Sequence, residues 1–158
     1  MPHPTTQPPE LQVSEWLNTT EPPTLAGLRG QVVVVHAFQM LCPGCVAHGL
    51  PQTKRLTQVF AGRDVTVLGL HTVFEHHAVM TPAALRVFLH EYRIGFPVGI
   101  DMPGDPGPMP RTMQAYRMGG TPTLLVFDRQ GQLQLNQLGQ IDDLALGGLL
   151  GELLAQAV

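Results

Sequence analysis

The sequence predicts an α/β domain whose central sheet carries helices on both faces, and three patterns along the chain predict it. Two continuous apolar, largely β-branched runs, Val32–Phe38 and Val65–Val73, read as strands buried on both sides. Apolar residues then recur at helical spacing in three places: Leu56, Val59 and Phe60; Leu85, Phe88, Leu89 and Tyr92; and leucines 146, 149, 150, 153 and 154. Near the end, Thr123–Phe127 is joined to Gln132–Leu138 through Asp128-Arg129-Gln130-Gly131, the composition of a hairpin turn. Strand and helix alternate before the hairpin, which is the layout of an α/β sheet. At 158 residues the chain matches one domain, which can bury roughly 70% of its unfolded surface without a metal or disulfide to staple it.

Taken in order, residues 1–10 hold four prolines and are expected to form a flexible tail, leaving 11–158 as the domain. Leu11–Trp16 suits a short edge strand, which Glu21-Pro22-Pro23 breaks. The run Val32–Phe38 stops where the cysteines begin, and a helix follows to about Ala61, bent by Pro51 and closed by Gly62. After the second buried strand, Thr81-Pro82 supplies an N-cap and a proline at the first helical position. Pro97–Ile100 is a short strand. Residues 101–111, with four prolines and two glycines, form a loop, and Arg111–Met118 a short helix. Asp142 or Asp143 caps the last helix, in which Gly147, Gly148 and Gly151 each cost roughly 1 kcal/mol against alanine.

Charge narrows the function. A formal net charge of -3 with 13% charged residues gives no basic field for nucleic acid and no acidic tail. No stretch approaches the roughly 18 uninterrupted apolar residues of a membrane span, and MPHPTTQPPE lacks the basic and apolar regions of a secretory signal. The expectation is a cytoplasmic protein without nucleic-acid or membrane partners. In a reducing cytosol a close cysteine pair points to redox exchange or metal ligation rather than to a permanent staple.

The only two cysteines lie in FQMLCPGC, directly after the first buried strand. This puts Cys42 at the N-cap of the next helix, Pro43 at N1, Gly44 at N2 and Cys45 at N3. An N-cap atom faces the unpaired N2 and N3 amides and the positive end of the helix dipole, and both stabilise negative charge on sulfur. Thiols so placed in Cys-X-X-Cys pairs titrate at roughly 3.5 to 7.5 and are nucleophiles at neutral pH. Cys42 is therefore the expected nucleophile and Cys45, one turn in and shielded, the resolving thiol. Pro43 fits a helix start, and Gly44 lets a substrate backbone come close.

The segment VVVVHAFQMLCPGC, the later Gly-Gly-Thr121-Pro122-Thr and the strand-helix order resemble the thioredoxin superfamily. The intervening helix and FPVGID are similar to its TlpA-like and redoxin (AhpC/TSA) branch of thiol-disulfide oxidoreductases. Over about Leu11–Leu154 the resemblance implies a thioredoxin-like fold with a mixed sheet, an exposed Cys42, and a cis Thr121-Pro122 bond that presents backbone to substrate. It also implies a dithiol enzyme that needs no bound cofactor or metal, acts on a disulfide-containing protein or small molecule, and draws on an external thiol electron donor. Several positions depart from the pattern. Leu41 replaces the tryptophan usual before the first cysteine, Pro-Gly reverses the common Gly-Pro, and His36 replaces an acid often found six residues before the nucleophile.

Two alternatives remain. A thiol peroxidase of this superfamily would carry proline and a hydroxyl residue where this chain has Val35 and Gln39. A copper or zinc carrier would recruit soft sulfur and imidazole, and His71, Glu75, His76 and His77 cluster after the second strand. For proton transfer from Cys45, His36 in the strand and His48, three residues beyond Cys45, are the candidate catalytic bases, with Glu75 behind them. A desolvated imidazole stays neutral near pH 7 and can accept a proton, which favours His36. Phe38, Met40, Leu41 and Phe96 are candidates for an apolar rim around the sulfurs.

Overall fold

The computed structural model describes residues 6–158. Its centre is the strand β2 (Val32–Phe38), all seven residues of which are buried. Burial on both faces is what a run without polar alternation demands. β2 lies parallel to β3 (Val65–His71), and β3 parallel to β4 (Val98–Asp101). On the other side, β5 (Thr123–Phe127) and β6 (Leu133–Leu138) add antiparallel, and β1 (Val13–Leu17) closes the far edge against β4. The six strands run β1-β4-β3-β2-β5-β6 in a mixed sheet.

Helices cover both faces, as the alternation of elements predicts. On one face α1 (Leu50–Val59), α2 (Pro82–Glu91) and α4 (Asp143–Ala155) bring Leu50, Leu56, Leu85, Leu89, Leu146, Leu150 and Leu153 against Val32, Val34 and Phe38. The opposite face is covered by α3 (Arg111–Ala115) with Met113 and Tyr116, together with Leu25 of the turn segment before β2, over Val33, Val35 and Ala37. Thr81 caps α2 by accepting from the Ala84 amide at 3.2 Å, and Asp142 caps α4 through the amides of Leu144 and Ala145. β3 ends at His71, two residues short of the expected Val73. α3 stops at Ala115, three residues short of Met118.

The expected flexible tail lies only partly within the described residues, and what is described is tied down. Gln7 accepts from the Arg29 guanidinium, Tyr116 donates its hydroxyl to the Pro9 carbonyl, and the Glu10 carboxylate takes the amides of Leu25 and Ala26. Proline content forbade a strand here but left side-chain anchoring open.

The first helix departs from the continuous, proline-bent segment that the sequence predicts. Pro43 and Gly44 are helical, but Cys45–Gly49 form a wider π-type turn before α1 begins, with the Leu50 amide reaching back to the Cys45 carbonyl. Pro51 has no N-H to give and its ring crowds the carbonyl four residues back, so a regular turn is unavailable there. Gly49 contributes a second reason: a Cβ on it would overlap the His36 ring. Among the described residues no helix is long and apolar enough to cross a membrane.

Candidate active site

The site is built where three loops meet at the C-terminal end of β2. Cys42 caps the first helix, as its spacing predicts: its carbonyl accepts the Val46 amide at 3.1 Å, and its sulfur receives the Cys45 amide at 3.4 Å. The Cys42 thiol, half-buried, donates to the Thr121 carbonyl at 3.4 Å. Cys45 is fully buried one turn in. Both cysteines are free thiols in this structure.

Thr121-Pro122 closes over the pair, and its peptide bond is cis, as the resemblance implies. Gly44 lies close beneath this loop. A Cβ there would stand 3.3 Å from Pro122 Cδ, so its lack of a side chain admits this chain's own proline ring.

The two thiols differ sharply in environment. Burial pushes Cys45 up to about 12, and the adjacent Cys42 sulfur adds to this through its hydrogen bond and its charge. The Gln39 backbone and the Thr121 hydroxyl pull the other way. A resting Cys45 is thus a protonated thiol. Once Cys42 is consumed in a mixed disulfide, both contributions from its sulfur fall away and burial is the only raising influence left, still opposed by Gln39 and Thr121.

Around Cys42 opens a cleft of about 500 Å³, lined by Leu41, Phe74, Glu75, Met80, Thr121 and Leu138 among others. Leu41 and Leu138 are more than half exposed on its rim, whereas Phe38, Met40 and Phe96 are core residues. Gln39 holds the cleft together. Its amide nitrogen reaches Glu75 Oε1 and Thr121 Oγ1, each at 3.4 Å, and its carbonyl oxygen accepts the Phe74 amide at 3.2 Å, so one buried side chain ties all three loops. Nothing in the sequence marks this role beyond a polar residue directly after an apolar strand. Val35 and Gln39 thus supply neither the proline nor the hydroxyl that a peroxidase of this superfamily would carry at those positions.

His36 and His48 come together, but at a second concavity. A cavity of about 110 Å³ between the first helix and the β6–α4 connection is lined by both imidazoles, by Pro122, and by the Arg55–Asp143 ion pair, 3.0 Å long. His36 is 1% exposed, stacks on Phe38 at 5.6 Å, and has no hydrogen-bond partner on either ring nitrogen. Burial holds its imidazole down at about 3, so it is neutral. His48 is exposed at the cavity's edge. Neither ring is hydrogen-bonded to a sulfur.

The histidine cluster after β3 is dispersed rather than convergent. His71 is buried and accepts the Met40 amide at Nε2, Glu75 takes the Gln39 amide, and His77 meets the Pro108 carbonyl. Among the described residues no group of three or more His, Cys, Asp or Glu is arranged to hold a metal ion.

A Cys-X-X-Cys pair at a helix start beneath a cis-proline loop, on a six-stranded mixed sheet, defines a thioredoxin-like thiol-disulfide oxidoreductase. The chain belongs to the AhpC/TSA family, whose model matches residues 6–136. A thioredoxin-like superfamily protein of known crystal structure is 55% identical, with a TM-score of 0.94 over 96% of this chain and 98% of that one. A thiol-disulfide isomerase from Corynebacterium glutamicum is 51% identical, with a TM-score of 0.90 over 94% and 96%. StoA from Bacillus subtilis shares the fold at 17% identity and a TM-score of 0.67, over 89% and 96%. No curated protein sequence matches the chain.

Proposed function

We propose that the protein reduces disulfides in a polypeptide or small-molecule substrate by dithiol exchange, working in a reducing cytoplasm with an external thiol as electron donor. The observation that carries this reading is the asymmetry of the pair. Cys42 is accessible in a cleft at a helix N-terminus, and Cys45 is sealed one turn behind it, with its amide on the Cys42 sulfur.

The Cys42 thiolate attacks one sulfur of the substrate disulfide, forming a mixed disulfide and expelling the other substrate sulfur as a thiolate. Cys45 then loses its proton and attacks Cys42 Sγ. The substrate leaves as a dithiol, and a Cys42–Cys45 disulfide remains, two electrons having passed to the substrate. An external dithiol restores the pair by the reverse sequence. Pro43 and Gly44 shape the approach to Cys42, while the Thr121 carbonyl and the Pro122 ring form the wall against which substrate backbone lies.

His36 serves as proton acceptor for Cys45 in this proposal, with His48 exchanging the proton with solvent across the cavity they share. The unbonded ring nitrogens of His36 support the reading. Burial puts the proton affinity of His36 far below that of the Cys45 thiol, so the transfer is uphill and is completed only as the Cys45 sulfur bonds to Cys42 and the proton passes on to solvent.

The test is turnover. Reduced protein supplied with a thiol donor should reduce a protein disulfide and a small aromatic disulfide catalytically, and should not consume hydroperoxide. Stoichiometric oxidation without turnover, or turnover of hydroperoxide alone, overturns the proposal.

A further inference from the structure

A third concavity, of about 560 Å³, lies between the end of β3, the start of α2 and the proline-rich loop that joins β4 to α3. Its walls are mostly apolar, with Val73, Met80, Ile100, Pro103, Pro108 and Pro110 facing it. Its size and lining are those of a ligand pocket, not of a packing defect. Two buried polar residues also border it. Asp101 is fully engaged, accepting from the Thr112 amide at 2.8 Å, the Thr72 hydroxyl at 2.9 Å and the Met113 amide at 3.0 Å. His71 accepts the Met40 amide at Nε2, so the neutral ring carries its proton on Nδ1 as a donor.

Three observations join this pocket to the Cys42 cleft. Met80 lines both. The His71–Met40 hydrogen bond ties the pocket wall to the backbone two residues before Cys42. The adjacent His76 and His77 border the cleft and the pocket respectively, and the His77 ring fastens the two bordering loops through the Pro108 carbonyl at 3.2 Å. On the cleft side, the exposed Leu41 and Leu138 extend the apolar surface around the sulfur. A free small molecule filling the pocket would have no use for that rim, whereas a polypeptide lying across Cys42 would cover it.

We infer that this pocket is a specificity site for the substrate polypeptide, receiving a bulky apolar or aromatic side chain a few residues from the cysteine engaged by Cys42. The inference rests on the dithiol reading and adds the class of substrate. Apolar burial supplies the affinity, and the size of the pocket selects segments that carry a bulky apolar group at that distance from the cysteine.

The test uses disulfide-linked peptides, identical except for tryptophan or alanine at one position between two and six residues from the cysteine, reduced by the full chain with one thiol donor. At least one placement of tryptophan should raise kcat/KM about tenfold or more over its alanine partner, the scale of one well-filled pocket. Val73→Phe, or Val73→Leu as the milder filling, should bring that ratio close to one. In parallel, the reduced tryptophan peptide titrated onto reduced wild-type protein should move the methyl resonances of Val73, Met80 and Ile100.

Ratios near one at every placement with unmoved methyls overturn the inference, and so does a gain that survives both Val73 variants. If free indole moves the same methyls while peptides gain nothing, the pocket takes small molecules and the polypeptide assignment fails. Should the alanine peptides too go unreduced, the dithiol reading has failed, and the methyl titration alone decides on the pocket.

Discussion

Replacing His36 by leucine isolates the least ordinary group in the core. Its imidazole is 1% exposed with both nitrogens unbonded, and burial lowers its proton affinity from the ordinary 6.5 to about 3. The unfolded chain therefore binds a proton at this residue near pH 6.5, and the folded protein only near pH 3. Between those values the unfolded state holds more protons, so the His36 contribution is fully present above 6.5 and is lost as pH falls toward 3. At about 1.4 kcal/mol per pH unit, roughly 3 kcal/mol is lost by pH 4.5 and about 5 by pH 3. His71, lowered to about 4, acts in the same direction. Against a total stability of typically 5 to 15 kcal/mol, these two rings make the protein acid-labile.

Urea unfolding followed by circular dichroism at pH 7 and pH 4.5 reads the effect. His36→Leu should lose about 3 kcal/mol less than wild type between the two conditions. The other polar groups around the cavity, His48 and the Arg55–Asp143 pair, are present in both proteins and cancel in the comparison. At pH 7 the variant should be no less stable than wild type, because an unbonded buried polar group costs about 1 to 3 kcal/mol. Equal losses on acidification would refute the assignment of His36 as a neutral, unsatisfied ring.

The remaining predictions concern the two thiols and the turn behind them. In stopped-flow resolution of a preformed mixed disulfide, His36→Leu should be slower by roughly 10²-fold or more while Cys42 alkylation stays near wild type, and His48→Leu should be slowed less; unchanged resolution would leave His36 a packing residue. Cys45 is raised from 9.0 to about 12, so its contribution is present below pH 9 and lost as pH rises toward 12. The melting temperature of the reduced protein should accordingly fall away from that of the disulfide form above pH 9, and parallel curves would contradict the burial of Cys45. Gly49→Ala should destabilise by about 1 to 3 kcal/mol through overlap with the His36 ring. In a His36→Ala background most of that loss should vanish, whereas simple additivity would place the strain elsewhere.

Much of this architecture was legible because its determinants are local. β2 and β5 occupy their expected residues, Val32–Phe38 and Thr123–Phe127, since an apolar β-branched run can satisfy burial on both faces only as a central strand. Thr81 and an aspartate at 142 or 143 mark helix starts by side-chain chemistry alone. Cys42 and Cys45 are likewise ordered by a cap position that sequence spacing encodes.

What stayed hidden depends on contacts between distant residues. The π-type turn follows from Pro51 together with the fit of Gly49 over His36, and that fit joins a helix to a strand. Spacing alone puts His48 on the face of Cys45 in a regular helix; in the wider turn it borders the cavity of His36. Gln39 registers in the sequence only as a missing hydroxyl, because its three partners come from loops that meet only in the folded chain. The cluster His71, Glu75, His76 and His77 shows the converse: neighbours in sequence divide between two sites, His71 and His77 on the apolar pocket and Glu75 and His76 on the Cys42 cleft.

The division of labour between the sulfurs is tested most directly by trapping. Cys45→Ser protein, mixed with a disulfide substrate at neutral pH and examined by intact mass, should carry one substrate on Cys42 and stay so for many times the wild-type turnover time. Cys42→Ser should carry none, and wild type should pass through to a Cys42–Cys45 disulfide with the mass of the chain less two hydrogens. Adducts on both single-cysteine variants at equal rates would contradict the account, because Cys45, with no surface exposed, could not then be the sealed partner the structure describes.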